Sequence, residues 1–123
     1  MESIVLEAKK DLIKAVKATN PKADLEKIEE AADFAYKAHS KQLRASGEPY
    51  ILHPIAVAKI LTELKLDSTS IITALLHDTV EDTEITLNDI KKLFGKEVAQ
   101  LVDGVTKLDK IEYQPENIKQ SEN

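Results

Sequence analysis

The chain has 123 residues, a length that suits one domain and lets folding bury roughly two thirds of the surface the unfolded chain exposes. With 42% hydrophobic and 32% charged residues it reads as globular rather than disordered, and the absence of cysteine excludes disulfides and thiolate metal sites, in keeping with a cytoplasmic setting. The net charge of -5 argues against binding a nucleic-acid backbone, and no apolar run approaches the about 20 residues that span a bilayer or resembles a signal peptide.

The pattern is helical nearly throughout. Ile4, Val5, Ala8, Leu12, Ala15 and Val16 recur at helical spacing and predict a first helix over residues 2–19 or so, ended by Asn20-Pro21. Asp24 suits the N-cap of a second helix, with Leu25, Ile28, Ala31, Ala32, Ala35 and Ala38 on its inner face. The stretch SKQLRASGEPYILHP breaks the period: Gly47 and Pro49 mark a loop, and Pro54 fits the first turn of a third helix reaching about Leu66. Ser68 or Thr69 can cap a fourth helix, SIITALLHDTVED. Thr86 with Asp89 resembles a capping box opening a fifth, LNDIKKLF, which Gly95 ends, and KEVAQLVDGVTKL is a sixth. No segment has the period of a strand, so the fold class is all-α. The tail EYQPENIKQSEN is polar, and we expect it to be ordered poorly or only by a partner.

The fourth helix carries the chemistry. Ile72, Leu75, Leu76, Thr79 and Val80 form its core stripe, while Ala74, His77, Asp78, Glu81 and Asp82 fall on the neighbouring side. His77 stacks over Glu81 and Asp78 over Asp82, and no Lys or Arg occurs between Leu66 and Ile90. Carboxylates at a helix C-terminus oppose the helix dipole and one another. Two readings follow from the residues alone. One is a solvated acidic face. The other is a divalent cation, Mn, Fe, Zn or Mg, held by imidazole and carboxylate. The second points to His53, beside Pro54 at the start of the third helix, as a further ligand. His39, behind an Ala-rich face, reads as structural.

The ordered set RASGEPYILHP, HDTVED and VDGVTKL resembles the N-terminal hydrolase domain of RelA/SpoT-type proteins, within the HD-domain phosphohydrolases, from about Ile28 to Tyr113. The resemblance implies an HD-domain helical bundle, incomplete at its C-terminal side, over residues 1–111, followed by a polar tail over 112–123. It implies metal ligation by His53, His77 and Asp78, with Mn as the usual ion. It makes Glu81 and Asp82 the acidic pair that positions or deprotonates the attacking water. Arg44 is then the residue that stacks on guanine, and Ser46 contacts the nucleotide. The implied reaction removes the 3′-pyrophosphate of ppGpp or pppGpp and returns GDP or GTP.

The sequence departs from the family pattern in two ways. A fourth metal ligand, an Asp in a later LADRLHN-like segment, has no counterpart before Asn123. Ala45 stands where a basic residue often accompanies the stacking Arg. These departures keep two alternatives in view, a non-catalytic HD-domain module that binds metal, nucleotide or a partner protein, and a phosphohydrolase of another nucleotide. On this reading alarmone synthesis is excluded, and apolar surface left uncovered predicts a homo-oligomer.

Overall fold

The computed structural model describes residues 2–112, with side chains as far as Leu108. Six helices follow one another: α1 (Ser3–Thr19), α2 (Leu25–Ala38), α3 (Leu52–Glu63), α4 (Ser68–Asp82), α5 (Leu87–Phe94) and α6 (Lys96–Glu112). Among the described residues the all-α expectation holds. The only extended pairing among these residues is an isolated bridge between Leu43 and Pro49, which closes the α2–α3 loop. The polar tail expected from residue 112 falls almost wholly outside the described residues.

The helices are organised around α4, which packs against α2, α3 and α6, while α1 covers α2 and α3 and α5 leans on α6. The two-sided picture of α4 is therefore corrected. Ile71, Ile72, Thr73, Ala74, Leu75 and Leu76 are all buried, so apolar residues surround its first two turns instead of forming one stripe. A helix that is apolar all round belongs in an interior. Its buried threonines satisfy themselves locally: Thr73 donates to the Thr69 carbonyl at 2.8 Å and Thr79 to that of Leu76 at 2.6 Å.

Caps explain most boundaries. Asp24 accepts the Lys27 N–H at 3.1 Å as expected, and Thr86 and Asp89 form a reciprocal capping box. The cap of α4 is not Ser68 or Thr69 but Asp67, whose carboxylate accepts the Ser70 N–H at 2.9 Å. Ser68 instead accepts the backbone N–H of Asp24 at 3.0 Å, tying the starts of α2 and α4 together. The third helix stops at Glu63, short of the expected Leu66. Lys65 turns left-handed (φ 63°), and its N–H and that of Leu66 reach back to the carbonyls of Thr62 and Leu61. This is a Schellman termination without the usual glycine. Gly95 (φ 99°) ends α5 and also accepts the Ala99 N–H of α6, so one residue turns the chain between two helices.

The Asp67 cap makes a prediction. Asp67→Ala should cost about 1 kcal/mol, whereas Asp67→Asn, an equally good cap, should cost little at neutral pH. The Ser70 hydrogen bond holds the Asp67 carboxyl below its ordinary 3.8. A group depressed in this way stabilises the fold above its unfolded pKa, and that contribution is lost as pH falls through the folded value. Urea unfolding followed by circular dichroism should therefore show a steeper loss of stability below about pH 4 for the wild type than for Asp67→Asn.

Candidate functional site

The last two turns of α4 leave the apolar surroundings of the first two and face the α2–α3 loop and the start of α3. His77 and Asp78 sit at that transition. The His77 Nδ1 lies 3.0 Å from the Ala74 carbonyl. A carbonyl only accepts, so Nδ1 carries a proton, which leaves Nε2 as the nitrogen that meets Asp78. That Nε2 lies 2.9 Å from Asp78 Oδ1. Two lone-pair acceptors at this distance repel unless a cation, a proton or a metal ion, lies between them.

Asp78 is only 7% exposed. Burial disfavours its charge, but the His77 hydrogen bond and charge, the Tyr50 hydroxyl and the charge of His53 outweigh that effect and hold its carboxyl below the ordinary value. Tyr50 donates to Asp78 Oδ2 at 3.0 Å and also reaches Asp82 Oδ2 at 3.3 Å. Burial, and then the adjacent Asp78 and Asp82 charges, push the phenol pKa up, so it remains a donor. His53 lies in the first turn of α3, its ring centroid 6.4 Å from that of Tyr50. Glu81 and Asp82 occupy the exposed end of α4.

The structure thus joins Asp78 to His77 directly and to Asp82 through the Tyr50 hydroxyl, and sets the His53 ring against the other edge of the contact set, 6.4 Å from Tyr50. Among the described residues, no three His, Asp or Glu side chains converge as one ready metal cluster. The donor chemistry nevertheless fits a divalent ion. Neighbouring donors around an octahedral ion with bonds of about 2.0–2.1 Å lie about 2.9 Å apart, the separation of His77 Nε2 from Asp78 Oδ1. The Ala74 carbonyl fixes the tautomer that ligation needs.

Arg44 and Ser46 lie on the exposed α2–α3 loop. Gly47 (φ 86°) donates to the Arg44 carbonyl at 2.8 Å, and the Arg44 N–H donates to the Glu48 carbonyl at 2.9 Å, so the backbone at Arg44 is held in a tight turn. The Ser46 hydroxyl is engaged within the loop by the Glu48 carboxylate at 3.1 Å. His77 also lines a cavity of about 360 Å³ that opens between α3, α4 and α6, walled mainly by Val57, Leu61, Ala74, Leu101 and Val105. Its apolar walls do not suit a phosphate.

Two residues escaped the sequence reading as parts of this site, Tyr50 and Gln42, whose Nε2 donates to the Asp82 carbonyl at 2.6 Å; His39, read as structural, packs its ring 4.5 Å from that of Tyr50. Tyr50 lay inside the motif three positions before His53. The signal that could have found it is chemical, since a cluster of carboxylates without Lys or Arg needs neutral donors.

The HD domain family model matches residues 31–123. The chain belongs to the HD domain family. Among its relatives, the bifunctional (p)ppGpp synthase/hydrolase SpoT of Escherichia coli (strain K12) is 50% identical over 103 residues, which cover 84% of this chain and 15% of that protein. A GTP pyrophosphokinase of Myxococcus xanthus is 58% identical over 91 residues, 74% of this chain and 12% of that protein. A guanosine-3′,5′-bis(diphosphate) 3′-pyrophosphohydrolase of Aquifex aeolicus (strain VF5) is 54% identical over 91 residues, 74% of this chain and 13% of that protein. The chain therefore spans only 12 to 15% of the length of these relatives. The resemblance to RelA/SpoT-type proteins is borne out, and the HD dipeptide of the family is His77-Asp78 here. No helix among the described residues is long and apolar enough to cross a membrane.

If His77 and Asp78 of this HD domain hold a divalent ion, Mn²⁺ should raise the melting temperature. At about 100-fold excess over Kd the gain is about 2.7 kcal/mol, a shift of several degrees for a domain of this size. His77→Ala should abolish the shift in differential scanning fluorimetry while the variant retains its helical circular dichroism spectrum.

Proposed function

We propose that this HD domain hydrolyses the 3′-pyrophosphate of ppGpp and pppGpp to give GDP and GTP, in the cytoplasm, with Mn²⁺ as the bound ion. The observation that carries the reading is the 2.9 Å approach of His77 Nε2 to Asp78 Oδ1 on a helix end where the Tyr50 hydroxyl reaches both the Asp78 and Asp82 carboxylates. The names of the relatives support the substrate.

In this reading His77 and Asp78 hold the ion, with His53 completing the protein's share from α3. A divalent ion held there would make an activated water available near neutrality and would offset phosphate charge. Glu81 and Asp82, one helical turn beyond His77 and Asp78, orient that water and accept its proton. Both stand at the exposed end of α4, where a charged substrate can approach without crossing the apolar interior. Arg44 offers a planar guanidinium on the loop for stacking against guanine, and Ser46 supplies a hydroxyl beside it. Ala45 leaves Arg44 without an adjacent second cation, the other basic residue of the loop being the exposed Lys41.

A second reading is favoured by one observation, that only two of the three expected ligands meet directly. It makes the chain a non-catalytic module that binds metal or nucleotide. Turnover separates the two. The first reading also includes self-association. Ile60, Leu64 and Leu108 are 55%, 66% and 65% exposed, and the partly exposed Leu101 lines the apolar opening between α3, α4 and α6.

Incubation of Mn²⁺-loaded protein with ppGpp should release GDP and pyrophosphate, resolved by anion-exchange chromatography. Glu81→Gln or Asp82→Asn should lower kcat by about 10²–10⁴-fold with Mn²⁺ binding retained. No release at high enzyme concentration, together with tight nucleotide binding, would establish the module reading. Light scattering on a sizing column should show a dimer or larger species, and Leu64→Lys with Leu108→Lys should shift it to monomer.

A further inference from the structure

Two carboxylates on successive turns of one helix repel each other unless something holds them in a shared arrangement. The Tyr50 hydroxyl does so from outside the helix, reaching Asp78 Oδ2 at 3.0 Å and Asp82 Oδ2 at 3.3 Å. With His77 at Oδ1, both oxygens of Asp78 are then engaged. The Tyr50 ring has its own support. It lies 4.5 Å from the ring of His39, which is 2% exposed and follows directly on α2. The Gln42 amide joins the two ends: its Oε1 lies 2.9 Å from His39 Nδ1, and its Nε2 donates to the Asp82 carbonyl at 2.6 Å. These contacts set the tautomer of His39, because an amide oxygen only accepts and Nδ1 must donate. The remaining nitrogen, Nε2, is buried without a hydrogen-bond partner among the described residues. Burying an unsatisfied group carries a cost, and the His39 ring is kept where its face meets Tyr50.

We propose that Tyr50 is a positioning residue for the acidic end of α4: its hydroxyl clamps the Asp78 and Asp82 carboxylates, and the buried His39 with Gln42 fixes the clamp. One proton shared between two acceptors brings the carboxylate assigned to the metal and the carboxylate assigned to water into a fixed relation. The loop that carries Arg44 is thereby coupled to the helix that carries HD. The catalytic consequence rests on the hydrolase reading above, while the structural one does not.

Tyr50→Phe in the full chain is the test, because it keeps the ring on His39 and removes only the hydroxyl. Mn²⁺ binding is followed by electron paramagnetic resonance, turnover by GDP release, and carboxylate placement by crystal structures of the metal-free wild type and variant. The melting temperature should stay within about 5 °C of wild type. Mn²⁺ affinity should fall about 10-fold or more, kcat should fall with KM for ppGpp little changed, and the Asp78 and Asp82 carboxylates should move apart. Unchanged affinity and unchanged kcat, or a loss confined to KM, would overturn the proposal. A wild type that binds Mn²⁺ but releases no GDP would sink the hydrolase reading alone, and the Tyr50→Phe effect on affinity would still decide the clamp. A wild type that binds no Mn²⁺ leaves the decision to the two crystal structures, where identical carboxylate placement overturns it. Gln42→Ala, which loosens only the support, should weaken Mn²⁺ binding less than Tyr50→Phe, and a larger loss would count against the hydroxyl as the holding group.

Discussion

Everything at this site depends on keeping an ionised carboxylate, Asp78, on the most deeply buried helix of the fold. At 7% exposure a carboxylate survives as a charge only if its oxygens are engaged. Here one oxygen meets His77 and the other meets the Tyr50 hydroxyl, and His53 adds favourable charge from α3. Each partner comes from a different part of the chain: α4 itself, the α2–α3 loop and the first turn of α3. The fold can be read as the means of bringing those three parts to one point.

The apolar half of α4 provides the anchor. Leu75 and Leu76, immediately before His77, are fully buried between α2, α3 and α6, so the helix can neither slide nor rotate without opening the core. The far end is held differently, through the Gln42 amide on the Asp82 carbonyl and the tie between Ser68 and Asp24 at the opposite terminus. Rigid packing below and hydrogen bonds above leave the exposed Glu81 and Asp82 side chains at a defined edge. That edge is polar, while the cavity that His77 also lines is mainly apolar, so α4 borders both a place for charged chemistry and a place for packing.

Much of the helix pattern was legible, and the misses have physical causes. Asp67 was passed over as the cap of α4 because Ser, Thr and Asp in succession are all acceptable caps. Which one serves is decided by where the chain leaves α3. That exit is set by Lys65 in a left-handed conformation, for which no glycine gave a local warning. The core of α4 was underestimated because a periodicity argument assigns one inner face, whereas packing on three sides buries small residues such as Ala74 and Thr73 as well. The capping box at Thr86 and the turn at Gly95 depend on neighbours in sequence, and both were read correctly.

By itself the sequence determined the helical class, the HD dipeptide and its acidic companions, because helical spacing and motif order are local properties that survive without coordinates. It placed His77 and Asp78 side by side and named His53 as their partner from afar. Only the tertiary structure decided how the carboxylates are held. Tyr50 lies 28 residues from Asp78 and 32 from Asp82, and Gln42 lies 40 from Asp82. No periodicity spans such separations. They are closed by the packing of α2, α3 and α4 around one core, and the direction of a phenol hydroxyl is fixed only once that core exists.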